Sequence, residues 1–209
     1  PDIVVGRVLA GLLEYWRYMH SQPNPEERDL VSRCEHVIER LVGQQVSPRE
    51  SERRFLDKDF GALALPSGIV DASLIPILSS RLREASLCLD AGAPLATILL
   101  YGSILEGLLI DLAGANPEEF NQASSSPKDG TGKVRKFQDW RLAELIDVAC
   151  DVGYLTLDVK MFSHGLRNFR NYIHPSEQLR SRFDPDKHTA EICLQVLKAA
   201  IACLEGLRH

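Results

Sequence analysis

The segment Leu166-Arg167-Asn168-Phe169-Arg170-Asn171-Tyr172-Ile173-His174-Pro175 gathers two arginines, two asparagines and a histidine into one short stretch. Arginine holds a phosphate through a fixed fork of donors, and histidine moves a proton near neutral pH. Together they suit cleavage of an RNA phosphodiester without a metal. At about 100° per residue, Phe162, Leu166, Phe169 and Ile173 fall on one side of a helix and form the expected buried stripe. His164, Arg167, Asn168, Asn171 and His174 fall opposite, with Arg170 at the edge. Arg167 and His174 share a face about 10 Å apart along the axis, a gap that long side chains close around one phosphate. Arg170 and His174 are neighbours at i and i+4.

The competing reading is a solvated polar face whose terminal histidine meets the helix dipole. Two details favour chemistry instead. Asparagine is a poor helix former, so local stability does not explain Asn168 and Asn171. Pro175 disfavours a helical His174, which places the ring at or near a helix end.

The elements that must hold these residues are helical nearly throughout. Apolar spacing predicts a helix over 4–19. Asn24-Pro25-Glu26-Glu27 gives an N-cap, an N1 proline and an acidic first turn for a helix to about Val42. Residues 45–66 are polar and punctuated by Pro48 and Pro66. Residues 1–66 are therefore expected to be an N-terminal helical extension and connection, and residues 67–209 the main domain. Within that domain, helices are expected over 71–91, 94–113, 139–152, 158–173 and 187–207, with a short turn at Asn116-Pro117-Glu118-Glu119. Pro76 is placed to delay the first of these. The segments 71–91, 94–113, 158–174 and 187–207 suggest a four-helix bundle with an inserted loop and short helix. Residues 123–136 have the composition of a flexible, solvated loop. Its Gly132-Lys133 lacks the spacing and preceding strand of a phosphate-binding loop.

Composition bounds the function. The chain has 209 residues, 44% hydrophobic and 25% charged, with a formal net charge of −5. That balance excludes a generic basic coat for nucleic acid. The region 160–182 is the local exception, where Lys160, Arg167, Arg170, Arg180 and Arg182 face Glu177 alone. Cys34, Cys88, Cys150, Cys193 and Cys203 form no CxxC pair and fit reduced core residues of a cytoplasmic protein. Neither a metal nor a cofactor is expected, and no apolar run approaches the ~18–20 residues of a membrane span.

Arg167-Asn168 with His174 after the intervening residues resembles the Arg-x(4–6)-His motif of the HEPN superfamily, in which a polar residue, often Asn, follows the arginine. The flanking Leu-Arg-x-x-Arg-Asn-x-x-His-Pro pattern is similar to HEPN domains of bacterial defence and toxin systems. The run from Ala96 through Gly102 to Glu106 resembles the family's second core helix. The likeness covers roughly residues 70–207. It implies an all-α HEPN four-helix bundle and a metal-independent endoribonuclease that cuts RNA by 2′-OH attack. It further implies a homodimer through the motif helix, and a defence or antitoxin partner. Carried over, His174 is the general acid or base, Arg167 binds the scissile phosphate and Asn168 orients them, with Arg170, Asn171 and His164 in support. Glu106 reads as a tether between helices. The separation of Arg167 from His174 is at the long end of the motif, and that of Arg170 is too short for it, so the choice between the arginines stays open. Some members lack nuclease activity, which leaves a non-catalytic module for dimerisation or for protein or nucleotide binding as the alternative.

Overall fold

The computed structural model describes residues 24–42 and 70–206, with isolated positions before and between these stretches. The chain divides into two compact units, Pro1–Asp57 and Lys58–His209. The expected helix over 4–19 and the connection over 45–66 lie largely outside the described residues. In the first unit, α1 (Pro25–Val42) begins as its sequence demands. Asn24 Oδ1 accepts from the Glu27 amide at 2.9 Å, and Glu27 Oε2 accepts from the Asn24 amide at 2.8 Å. This reciprocal capping satisfies two amides that the first turn leaves open.

The second unit holds α2 (Ile75–Asp90), α3 (Pro94–Ala115), α4 (Pro117–Gln122), α5 (Leu142–Asp151), α6 (Leu157–Arg170), α7 (Pro175–Ser181) and α8 (Lys187–Gly206). Every regular element among the described residues is helical; Lys128 and Val134 make one isolated bridge. Asp71 closes the turn ahead of α2, its Oδ1 accepting from the Ser73 amide at 2.7 Å, and Pro76 sits in the first helical turn. Asp186 caps α8 through the Thr189 amide at 2.8 Å.

α3 is the centre of the unit. α2, α5, α6 and α8 all pack on it, and α6 also packs on α5 and α8. Ile98, Ile104, Leu105, Leu108, Leu109 and Leu112 of α3 are buried. Each such side chain contributes about 1.5–3 kcal/mol of burial. As a helix, α3 spans 22 residues and is apolar enough to cross a bilayer by length and composition, contrary to the expectation from uninterrupted runs. Gly102, Ser103 and Glu106 do not break that character, because they are three residues in a helix of 22 that is otherwise almost wholly apolar. Half of its most apolar window is buried inside the unit.

The segment 123–136 is also not the flexible loop that its composition predicts. Asp129 Oδ1 accepts from the Thr131 amide at 2.8 Å and the Lys133 amide at 3.1 Å, and the Asp129 amide donates to the Lys133 carbonyl at 2.8 Å. Gly132, at φ 83°, completes this small hairpin. Asp151 anchors its entry through Ser124 and Ser125. Phe120, Phe137, Trp140 and Tyr154 pack against one another beside it. Asp129 and these rings supply an order that a count of Ser, Gly and Lys cannot register.

Candidate active site

The motif does not lie on one continuous helix. α6 ends at Arg170, Asn171–Ile173 form a 3-10 turn, and His174 adopts an extended backbone (φ −87°, ψ 111°) as the residue that caps α7. Its carbonyl accepts from the Glu177 amide at 2.9 Å. Pro175 supplies the cause: it forbids His174 the helical conformation and is itself suited to the first position of the next helix. His174 therefore sits at a junction between helices, at the start of α7, and not on the C-terminal dipole of α6.

The buried stripe of α6 is rotated from the expected one. It runs Val159, Ser163, Leu166, with Arg170 continuing its line, and Leu166 is 1% exposed. Phe162 and Phe169 are half-buried at its margin, and Ile173 is 52% exposed. Two polar members, Ser163 and Arg170, hide the stripe from hydrophobic patterning. The tighter 3-10 turn advances each residue by about 120° rather than 100°, which swings Ile173 out of line with Leu166.

Arg170 belongs to the scaffold. Its Nη2 pairs with Glu106 Oε2 at 3.0 Å, and its aliphatic stem crosses α3 at Gly102. A Cβ on Gly102 would lie 2.8 Å from Arg170 Cδ, so any side chain at this position forces the stem aside. Glu106 thus ties α3 to the end of α6.

His164 is engaged too. Its Nε2 lies 3.2 Å from Asp147 Oδ1 on α5, and Lys160 Nζ lies 2.7 Å from the same oxygen. Burial pushes the Asp147 carboxyl up, but the His164 and Lys160 hydrogen bonds outweigh it and hold the pKa below its ordinary value. His164 therefore joins α5 to α6 instead of standing on a free face.

The remaining motif residues differ from these. Arg167 Nη1 donates to Asn168 Oδ1 at 2.6 Å, which orients the guanidinium through its neighbour. Arg167 makes no ion pair among the described residues. Asn168, Asn171 and His174 are exposed, and the His174 ring has no hydrogen-bond or ion-pair partner among those residues. The chain thus offers an oriented cation and an uncommitted imidazole on either side of the helix end.

Comparison with family models, with curated proteins and with solved structures finds no match in any of the three. The functional reading therefore rests on the residues themselves. Among the described residues no cluster of three or more His, Cys, Asp or Glu side chains is placed to hold a metal ion.

One feature had no sequence signal in the motif. Phe183, beyond α7, stacks on Phe169 with centroids 5.6 Å apart and also meets Tyr172 at 5.5 Å. These rings fold the α7 segment back onto the end of α6.

Proposed function

We propose that this chain is a metal-independent endoribonuclease of HEPN type, with the HEPN four-helix bundle formed by α2, α3, α6 and α8. It acts in the cytoplasm, in defence against phage or as a toxin, under an antitoxin or another subunit of its system. The observation that carries the reading is the division of labour in the motif. Arg170 and His164 are spent on Glu106 and Asp147, whereas Arg167, steadied by Asn168, and His174 are left for a ligand.

Arg167 binds the scissile phosphate and offsets the extra charge that develops on it. His174 takes the 2′-OH proton or delivers a proton to the leaving oxygen. The attack forms a bond from the 2′ oxygen to phosphorus and breaks the bond to the 5′ oxygen, leaving a cyclic phosphate. DNA lacks the attacking group and is not cut. One chain presents one such histidine, so a homodimer through the motif segment supplies the second proton-transfer group.

The test is purified protein with RNA in EDTA. Cleavage by wild type, its loss in His174→Ala and Arg167→Ala, and products ending in cyclic phosphate are expected. Equal cutting by wild type and His174→Ala would falsify the assignment. Binding of RNA without any cutting, with the motif variants unchanged, would favour a non-catalytic module.

A further inference from the structure

Two aromatic groups among the described residues of the second unit are built differently. Phe120 and Trp140 of the first group are 0% and 3% exposed, as core rings are. The second group, Phe169, Tyr172 and Phe183, stays open: Phe183 is 37% exposed and the other two are half-buried. Its rings come from the end of α6, the 3-10 turn and the residue after the cap of α7, so they bracket His174 in the chain.

The cap itself is unusual. Arg182 is in the left-handed region (φ 53°, ψ 33°), the one non-glycine residue with positive φ among the described residues. This is the helix-ending position that glycine favours, because a side chain there is strained. The sequence accepts that strain and places an arginine directly before Phe183. Arg180 is occupied by Glu177, whereas Arg182 is exposed and has no ion pair among the described residues. Strain held at a surface turn by a charged residue points to a use for that residue beyond the turn.

An exposed ring next in sequence to an uncommitted arginine is a pairing that suits single-stranded nucleic acid. The guanidinium takes the backbone phosphate and the ring takes the face of a base, which must be unpaired to reach it. On α6, Phe169 lies about 160° round the helix from Arg167 at 100° per residue. The stacked base is therefore not the one at the scissile phosphate but a neighbour across the helix end. We infer that Arg182 and Phe183, backed by Phe169 and Tyr172, form a flanking nucleotide subsite that selects single-stranded RNA over duplex. The inference rests on the ribonuclease reading above.

The experiment measures binding of a labelled single-stranded 2′-O-methyl RNA, which cannot be cut, and of the same strand annealed to its complement. Wild type, Phe183→Leu and Arg182→Gly are compared, each with its melting temperature. Phe183→Leu is expected to bind the single strand about tenfold more weakly, the scale of one lost base stack, with little change for duplex. Arg182→Gly relieves the backbone and keeps or raises the melting temperature. It also lowers affinity and reduces the salt slope by about one phosphate contact. Unchanged affinity in Arg182→Gly, or equal binding of single strand and duplex by wild type, overturns the subsite. If wild type still cuts RNA in a His174-dependent way while both variants bind normally, the subsite alone is lost. Wild type that neither binds nor cuts RNA removes the ribonuclease reading and the subsite with it.

Discussion

Replacing Gly102 with alanine puts a methyl group 2.8 Å from Arg170 Cδ and 3.4 Å from Arg170 Cγ and Leu166 Cδ2. Two effects then oppose each other. Alanine in a helix interior is worth about 0.8–1 kcal/mol over glycine. Forcing a methyl into a filled contact costs about 1–3 kcal/mol. The stem of Arg170 can move aside only by loosening its pair with Glu106, whose side chains are 32% and 26% exposed and which contributes up to about 1 kcal/mol. The clash wins, and Gly102→Ala is expected to lose about 1 kcal/mol. At the size of this chain that is a fall of about 2–4 °C in Tm. In an Arg170→Ala background the obstructing stem is gone, and the same substitution is expected to stabilise by about 0.5–1 kcal/mol. A double-mutant cycle by urea denaturation should thus show a reversal of sign, not merely a change of size. If Gly102→Ala stabilises both backgrounds equally, the close crossing of Arg170 over α3 is wrong, and with it the assignment of Arg170 to the scaffold.

Three further outcomes follow from other contacts. The Asp147 pKa is lowered in the folded chain, so its contribution to stability is present above the unfolded carboxylate value and is lost as pH falls through the folded one. Asp147→Asn should therefore destabilise at pH 7 and flatten the acid limb of stability against pH; an unchanged acid limb would contradict the Asp147–His164–Lys160 network. Burial pushes the Cys193 thiol up to about 12, so native protein at pH 8.5 should resist alkylation at Cys193 while half-buried Cys88 and Cys203 react first; early labelling of Cys193 would show that α8 is not packed as described. Asp129→Ala removes the acceptor for two backbone amides of the 123–136 hairpin. Limited proteolysis should then cut between Lys128 and Lys136 faster than in wild type, with the melting temperature nearly unchanged, and equal cutting rates would mean that Asp129 does not hold the turn.

The helices were legible because their signals are local. Asn24 with Glu27, and Pro94 and Pro117 at first turns, mark ends that the structure keeps. The site was legible only in part. Pro175 correctly moved His174 out of the helix, but patterning at a single period could not see the 3-10 turn that turns Ile173 outward. The commitment of Arg170 depends on Gly102 and Glu106, more than sixty residues earlier, and that of His164 on Asp147 of another helix. Contacts between distant segments decide which of several similar side chains stay free, and spacing within one segment carries no record of them. The hairpin over 123–136 escapes its composition for the same reason: its order comes from Asp129, Asp151 and a ring cluster.

The composition of α3 has a consequence for the whole unit. A helix as long and apolar as α3 needs its apolar surface enclosed wherever it stands. In this chain α2, α5, α6 and α8 provide the surroundings that lipid would otherwise provide. The last of them in the sequence, and so the last to be synthesised, is α8. Until it docks, α3 lacks one of the helices that cover it, and the nascent unit exposes more of an apolar segment than the finished one does. Coverage by α8 thus completes the enclosure of α3, and a fragment ending before Lys187 would leave one side of α3 bare while α2, α5 and α6 still cover the rest.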